Sequence, residues 1–233
     1  MRIAVVGFSG QGKTALMFSA LGRIQDQHGG FLRRNYLSIA TLSNEDNPMN
    51  YNPTQLIKVY RDMRDNNYDT RPNFSNYTYR YEIRYRRFGS KRFQFMWQDH
   101  PGYEIEEQQD HIRSDILNAN AVMMVHNPHD PVSDNARMMS LVEIIKEKHD
   151  ADPNCPFVMA LTHSDQGHPS EAIRFFQKEI QGMGESFGCM PTTIRGRGVN
   201  TDRPLLDLMW RITSNPNCEC YDSELASKLR NIL

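Results

Sequence analysis

Tryptophan is nearly absent from this chain, with 2 residues in 233, and cysteine is scarce at 4. Cys155 and Cys189 sit in or beside apolar runs and read as buried thiols, while Cys218 and Cys220 form a lone CxC pair. No second pair completes a zinc site, and a chain this long can bury a core without metal or disulfide staples. Charge of one sign is also missing, since 27 basic residues face 28 acidic ones. That balance argues against broad binding to a nucleic-acid backbone. No apolar run approaches the ~18 residues of a membrane span. The chain opens directly on a strand, MRIAVVGF, and closes on Asn-Ile-Leu, so neither a signal peptide nor a prenylation box is expected and a cytoplasmic location is.

What is present alternates. Ile3–Val6 is a short apolar run meeting glycine at once, as a buried parallel strand does, and Lys13–Leu21 follows in a helical pattern. From about 25 to 76 turn formers dissolve the pattern, interrupted by a helix over Pro53–Arg64. Tyr77–Tyr85 and Arg92–Gln98 read as a hairpin around Phe88–Lys91. Then come a polar helix over Glu104–Asn118, strands at Ala121–His126, Pro156–Thr162 and Cys189–Ile194, and helices at Asn135–His149, Ser170–Met183 and Arg203–Ile212. Strands alternating with helices predict a mostly parallel sheet with helices on both faces and one antiparallel hairpin strand. The tail after Ser214 is polar and reads as peripheral, with Leu225, Leu229, Ile232 and Leu233 able to dock as a short helix.

Chemistry concentrates at three stations. Gly7-Phe8-Ser9-Gly10-Gln11-Gly12-Lys13-Thr14 fits the GxxxxGK[ST] phosphate loop between a strand and a helix. Glycines let the backbone N–H groups converge on one anion, and the helix start adds its positive end. Lys13 then supplies a cation to the β- and γ-phosphates, and the Thr14 hydroxyl a ligand for Mg²⁺. Asp99 closes a strand and is followed by Pro101 and Gly102. A carboxylate there can hold Mg²⁺, and the Gly102 N–H can meet a γ-phosphate. The plainer alternative is a strand-ending turn. Thr162-His163-Ser164-Asp165 follows an apolar strand, where Asp165 can accept two N–H bonds from guanine or, with Ser164, simply cap a helix.

Together these stations resemble the small GTPases of the Ras-like and translation-factor type, including prokaryotic double-GTPase-type relatives. Gly7–Thr14 is similar to their phosphate loop, Asp99–Gly102 to their DxPG, and Thr162–Asp165 to their [NT]KxD guanine motif. The resemblance implies a three-layer P-loop NTPase fold over residues 1–214, with a long switch I insertion at about 25–76 and a tail at 215–233. It implies GTP and GDP as ligands, Mg²⁺ as cofactor, and a protein effector or activator at the switch regions. Nucleotide contacts are then expected from Gly7, Ser9, Gly10, Gln11, Gly12, Lys13, Thr14 and Ala15, and on the base side from Thr162, His163, Asp165 and Ile194. Thr14, Thr70 and Asp99 would hold the metal, and Lys13, Thr70, Gly102 and Tyr103 would serve hydrolysis.

The sequence departs from the family at two points. His163 replaces the usual Lys, and Tyr103 stands where a Gln or His orients water. Slow or partner-activated hydrolysis is therefore expected. A non-hydrolysing pseudo-GTPase and a P-loop ATPase or kinase stay open. The basic–aromatic hairpin, with Tyr77, Tyr79, Tyr81, Tyr85, Phe88, Phe93 and Phe95 among arginines, reads either as a binding surface or as a charged guarded edge.

Overall fold

In a computed structural model of the chain, β1 (Arg2–Val6) runs through the middle of the sheet with Ile3 to Val6 buried. The structure describes residues 1–30, 36–42, 51–65, 77–85, 91–99, 109–130, 138–167, 169–180, 183, 187–192 and 200–233. Around β1 the chain builds α1 (Lys13–His28), β2 (Ser38–Thr41), α2 (Pro53–Arg64), β3 (Tyr77–Arg84), β4 (Arg92–Asp99), α3 (Gln109–Leu117) and β5 (Ala121–His126). It continues with α4 (Met139–Ala151), β6 (Phe157–Leu161), α5 (Ser170–Glu179), β7 (Phe187–Pro191), α6 (Arg203–Ser214) and α7 (Ser223–Arg230). Among the described residues seven strands form one sheet in the order β2-β3-β4-β1-β5-β6-β7. Only β3 runs against the others, pairing antiparallel with β2 and with β4, while β4, β1, β5, β6 and β7 pair in parallel.

Two apolar cores flank the sheet. One joins α1, α2, α6 and α7 to β3 and β4, around Trp97, Tyr81 and Leu21. The other joins α3, α4 and α5 to β5 and β6, around Met124, Phe157 and Phe176. Helices therefore cover both faces, as the alternation predicted. Met138, Leu141, Val142 and Ile145 are buried as their helical spacing requires. Cys155 is buried too, which pushes its thiol up to about 12.

Several bounds differ from the sequence reading, each for a physical reason. β2 was unexpected: Ser38-Ile39-Ala40-Thr41 is short, only Ile39 is buried, and external bonds hold it. The Ile39 N–H donates to Gln25 Oε1 of α1 at 2.7 Å, and the Thr41 hydroxyl donates to Tyr51 O at 2.8 Å. α2 has the expected limits because its start is self-capped. Asn52 Oδ1 accepts from the Gln55 N–H at 3.0 Å, Gln55 Oε1 accepts from the Asn52 N–H at 2.8 Å, and Pro53 opens the first turn. α4 runs two residues past His149 and stops before Pro153, which disfavours helix in the residue ahead of it. β7 begins and ends earlier than expected, with Phe187 opposite Phe157 and Pro191 opposite Leu161, so its pairing with β6 sets the register.

The tail is more than peripheral. Asp222 accepts from the N–H groups of Glu224 and Leu225 at 3.1 and 3.0 Å and so caps α7, whose Leu225 and Leu229 are fully buried in the core. The Tyr85 hydroxyl donates to the same Asp222 carboxylate, and Lys91 pairs with Glu224 at 3.3 Å. The C-terminal helix is thus pinned to the turn end of the hairpin. Asp222→Ala removes the cap and the carboxylate that accepts from the Tyr85 hydroxyl, for an expected loss of about 2 kcal/mol in urea denaturation. A loss under about 0.5 kcal/mol, the range of neutral surface changes, would show that the tail is not coupled to the hairpin.

Candidate functional site

The C-terminal ends of β1, β4, β5 and β6 lie on one rim of the sheet. Val5 lies opposite Asp99, Val6 opposite Met124, and His126 opposite Leu161, so the C-terminal ends of these parallel strands stand level. The chain leaves β1 for β2, β3 and β4 on one side and returns as β5 on the other. At such a switch point the loops part and leave a crevice for a ligand.

The loop after β1 is shaped by its glycines. Gly7 sits at φ 154, and a Cβ there would lie 2.2 Å from Val125 O, so no side chain fits between β1 and β5. Gly12, at φ 84, is the N-cap of α1 and brings no side chain to its first turn. An uncapped helix start of this kind presents free N–H groups and positive charge to an anion. Ser9 and Gly10 at the loop's tip are exposed, whereas Ala15 is buried in the α1 core.

Lys13 lies under this loop, 6% exposed, with Nζ donating to Gly7 O at 2.8 Å and Phe8 O at 3.1 Å. Burial pulls its ammonium down from 10.5 to about 8, and the Asp99 carboxylate opposes part of that shift. The Thr14 hydroxyl donates to Asp99 Oδ2 at 2.5 Å, and Asp99 is buried at the end of β4. One hydroxyl and one carboxylate form a hard oxygen pair beside a phosphate-type loop. Such a pair suits Mg²⁺, which keeps several waters and takes substrate phosphate oxygens rather than an all-protein cage. Among the described residues no group of three or more His, Cys, Asp or Glu side chains could hold a metal by itself.

Gln11 faces inward, which the sequence reading did not foresee. Its side chain is fully buried, with Oε1 accepting from the Asn127 N–H and Nε2 donating to Asp130 Oδ2 at 3.0 Å. Thr162 is likewise buried, its hydroxyl bonding Gln11 O at 3.1 Å and His126 O at 3.3 Å. His163 adopts φ 57, its Nδ1 3.2 Å from the Thr162 hydroxyl. The Ser164 N–H donates to Thr192 O at 3.1 Å, tying this turn to the end of β7. Asp165 stands exposed on the same turn.

The structure therefore brings together Gly7 to Ala15, Asp99 and Thr162 to Asp165. Thr70, Gly102, Tyr103 and Ile194 lie outside the described residues. The loop after β5 was missed, although Asn127-Pro128-His129-Asp130 is a cluster of turn formers at the end of a buried strand and carried the signal. On the hairpin, Tyr79, Tyr81, Tyr85, Phe93 and Phe95 are core residues rather than stacking platforms. Arg80, Arg84 and Arg92 occupy the other face, with Glu82 pairing Arg84 at 2.9 Å and Arg92 at 3.7 Å. Packing thus takes these five aromatics out of that binding surface, while the Tyr77 side chain and Phe88 lie outside the described residues.

The chain matches no protein-family model, and no curated protein matches its sequence.

Proposed function

We propose that this protein is a guanine-nucleotide-binding switch that hydrolyses GTP slowly to GDP and phosphate with Mg²⁺. One observation carries the reading: a complete phosphate loop with buried Lys13 beneath it and the Thr14 hydroxyl against the Asp99 carboxylate, at the point where strand order reverses. A glycine loop leading into an uncapped helix start, with a caged lysine beneath it, is suited to a polyphosphate chain. The order β3-β4-β1-β5-β6-β7 also sets Asp99 beside β1 and the Thr162 turn beyond β5, so base and phosphates can bind along one rim.

In this reading the loop amides and Lys13 hold the β- and γ-phosphates and offset charge as water attacks the γ-phosphorus and the bond to the bridging oxygen breaks. Mg²⁺ held by Thr14 and Asp99, with Thr70 completing the set, would neutralise the same phosphates. Asp165 accepts the N–H pair of guanine, and Gly102 meets the γ-phosphate so that the segments at about 25–76 and after Asp99 respond to its loss. Binding of an effector or activator at those segments follows from that response. The protein acts in the cytoplasm on this reading.

Calorimetric titration with GTP, GDP and ATP in Mg²⁺, beside Asp165→Asn, is the test. Guanine nucleotides should bind at least about a hundredfold more tightly than ATP, and the variant should lose that preference. Equal or preferred ATP binding would move the protein to the ATPase or kinase class. A second reading, a non-hydrolysing interaction module, is favoured by Tyr103 in the water-orienting position. Single-turnover hydrolysis of bound GTP, with and without Mg²⁺, separates it from the first.

A further inference from the structure

Asp165 can read a base only if its turn is held at a fixed distance and tilt from the phosphate loop, because ribose and α-phosphate set the span of the ligand. The turn is anchored near its start, where the Thr162 hydroxyl bonds Gln11 O at 3.1 Å and the Ser164 N–H bonds Thr192 O at 3.1 Å. One anchored end fixes position but leaves the far end free to swing. The far end is met by the loop after β5. His129 Nε2 lies 3.1 Å from Gly167 O, and since a carbonyl only accepts, this nitrogen carries the proton. The imidazole therefore donates in its neutral Nε2–H form and in its cationic form alike. Gly167 is at φ 154, a backbone conformation that side-chain-bearing residues rarely adopt, and the His129 ring packs beside it.

The loop that carries His129 is in turn fastened to the phosphate loop. Gln11 bonds both Asn127 N and Asp130 Oδ2, and the Asn127 side chain accepts from the His129 N–H at 3.0 Å. The hydrogen bonds thus close a circuit: Gln11 to Asn127 and Asp130, His129 to Gly167, back along the turn to Thr162, and from Thr162 to Gln11. Asp165 lies between the two anchored ends of its turn.

We infer that His129 is a positioning residue for base recognition, acting through Gly167 on Asp165 and touching no ligand. The inference rests on the guanine-nucleotide reading and adds a residue that fixes base preference separately from phosphate affinity. Its test uses the full chain and three probes in Mg²⁺, namely GDP, ADP and inorganic tripolyphosphate, titrated into wild type, His129→Ala and His129→Gln. In His129→Ala the preference for GDP over ADP should fall about five- to tenfold, the worth of one positioned hydrogen bond, while tripolyphosphate affinity holds. His129→Gln, whose amide N–H can reach Gly167 O, should restore most of the preference. An unchanged preference in His129→Ala overturns the inference. So does a parallel loss of all three affinities, which marks a merely structural loop. Wild type showing no preference for GDP over ADP instead defeats the guanine reading itself, and is seen before any variant is made.

Discussion

Lys13→Met is expected to lower affinity for GTP by about a hundredfold or more, the cost of removing one partner from a desolvated charge pair. The methionine stem fills the space under the loop, so the loss reports the ammonium and not a cavity. Lys13 Nζ is held under its own loop by Gly7 O and Phe8 O. Calorimetry with GTP and GDP measures the loss directly. Retained affinity within about threefold would mean that the amides alone bind the phosphates and that the lysine is structural.

The same substitution should act in the opposite direction on the ligand-free fold. Lys13 falls from 10.5 to about 8 because it is buried, a penalty of about 3 kcal/mol for the charged form at neutral pH. Between those two values the unfolded chain binds more protons than the native one. Stability therefore rises as pH climbs from about 8 to 10.5, and the full penalty is present below 8. In Lys13→Met that rise should vanish and the neutral-pH unfolding midpoint should increase. Urea denaturation at pH 7 and pH 10 checks both. A variant whose stability keeps the wild-type pH slope would show that other groups set it. Bound nucleotide reverses the balance, since phosphate favours the charged lysine, and proton uptake on binding should appear above pH 8.

Much of this site was legible because its motif is local. Strand, glycine loop and helix occupy consecutive residues, and the spacing Gly7 to Thr14 needs no tertiary knowledge. The start of α2 was legible for a similar reason, since Asn52, Pro53 and Gln55 form their cap within one turn. What escaped depends on distant partners. β2 exists because Gln25 and Tyr51 hold it, and Ser-Ile-Ala-Thr alone has no period to read. The inward turn of Gln11 is decided by Asn127 and Asp130, more than a hundred residues away. α7 was legible in its leucines, but its weight in the fold comes from Tyr85 and the hairpin. The hairpin's alternation showed which residues share a face, and only the packing showed that the aromatic face was inward.

Gly22 carries a further stability prediction. A glycine inside a helix costs propensity, and the helical pattern was read over Lys13–Leu21. α1 instead runs to His28, because Gly22 is where α2 crosses it. A Cβ at Gly22 would lie 2.2 Å from Leu56 O, 2.6 Å from Tyr60 Cβ and 2.9 Å from Leu56 C. Two of those atoms are backbone, so no rotamer change relieves the contact and the helices must move apart. Alanine gains about 1 kcal/mol of helix propensity over glycine, whereas overpacking a close helix crossing costs about 1–3 kcal/mol, and at 2.2 Å the upper end applies. Gly22→Ala should therefore be destabilising on balance, and Gly22→Val more so, since valine adds volume and loses the propensity gain. Separation would expose Leu56, Val59, Tyr60 and Met63 and loosen Tyr51, which holds edge strand β2 through Thr41. Urea midpoints falling in the order wild type, alanine, valine, with β2 and α2 amides losing exchange protection first, are the expected result. A Gly22→Ala variant as stable as wild type or more so would mean that α1 and α2 do not pack this closely in solution.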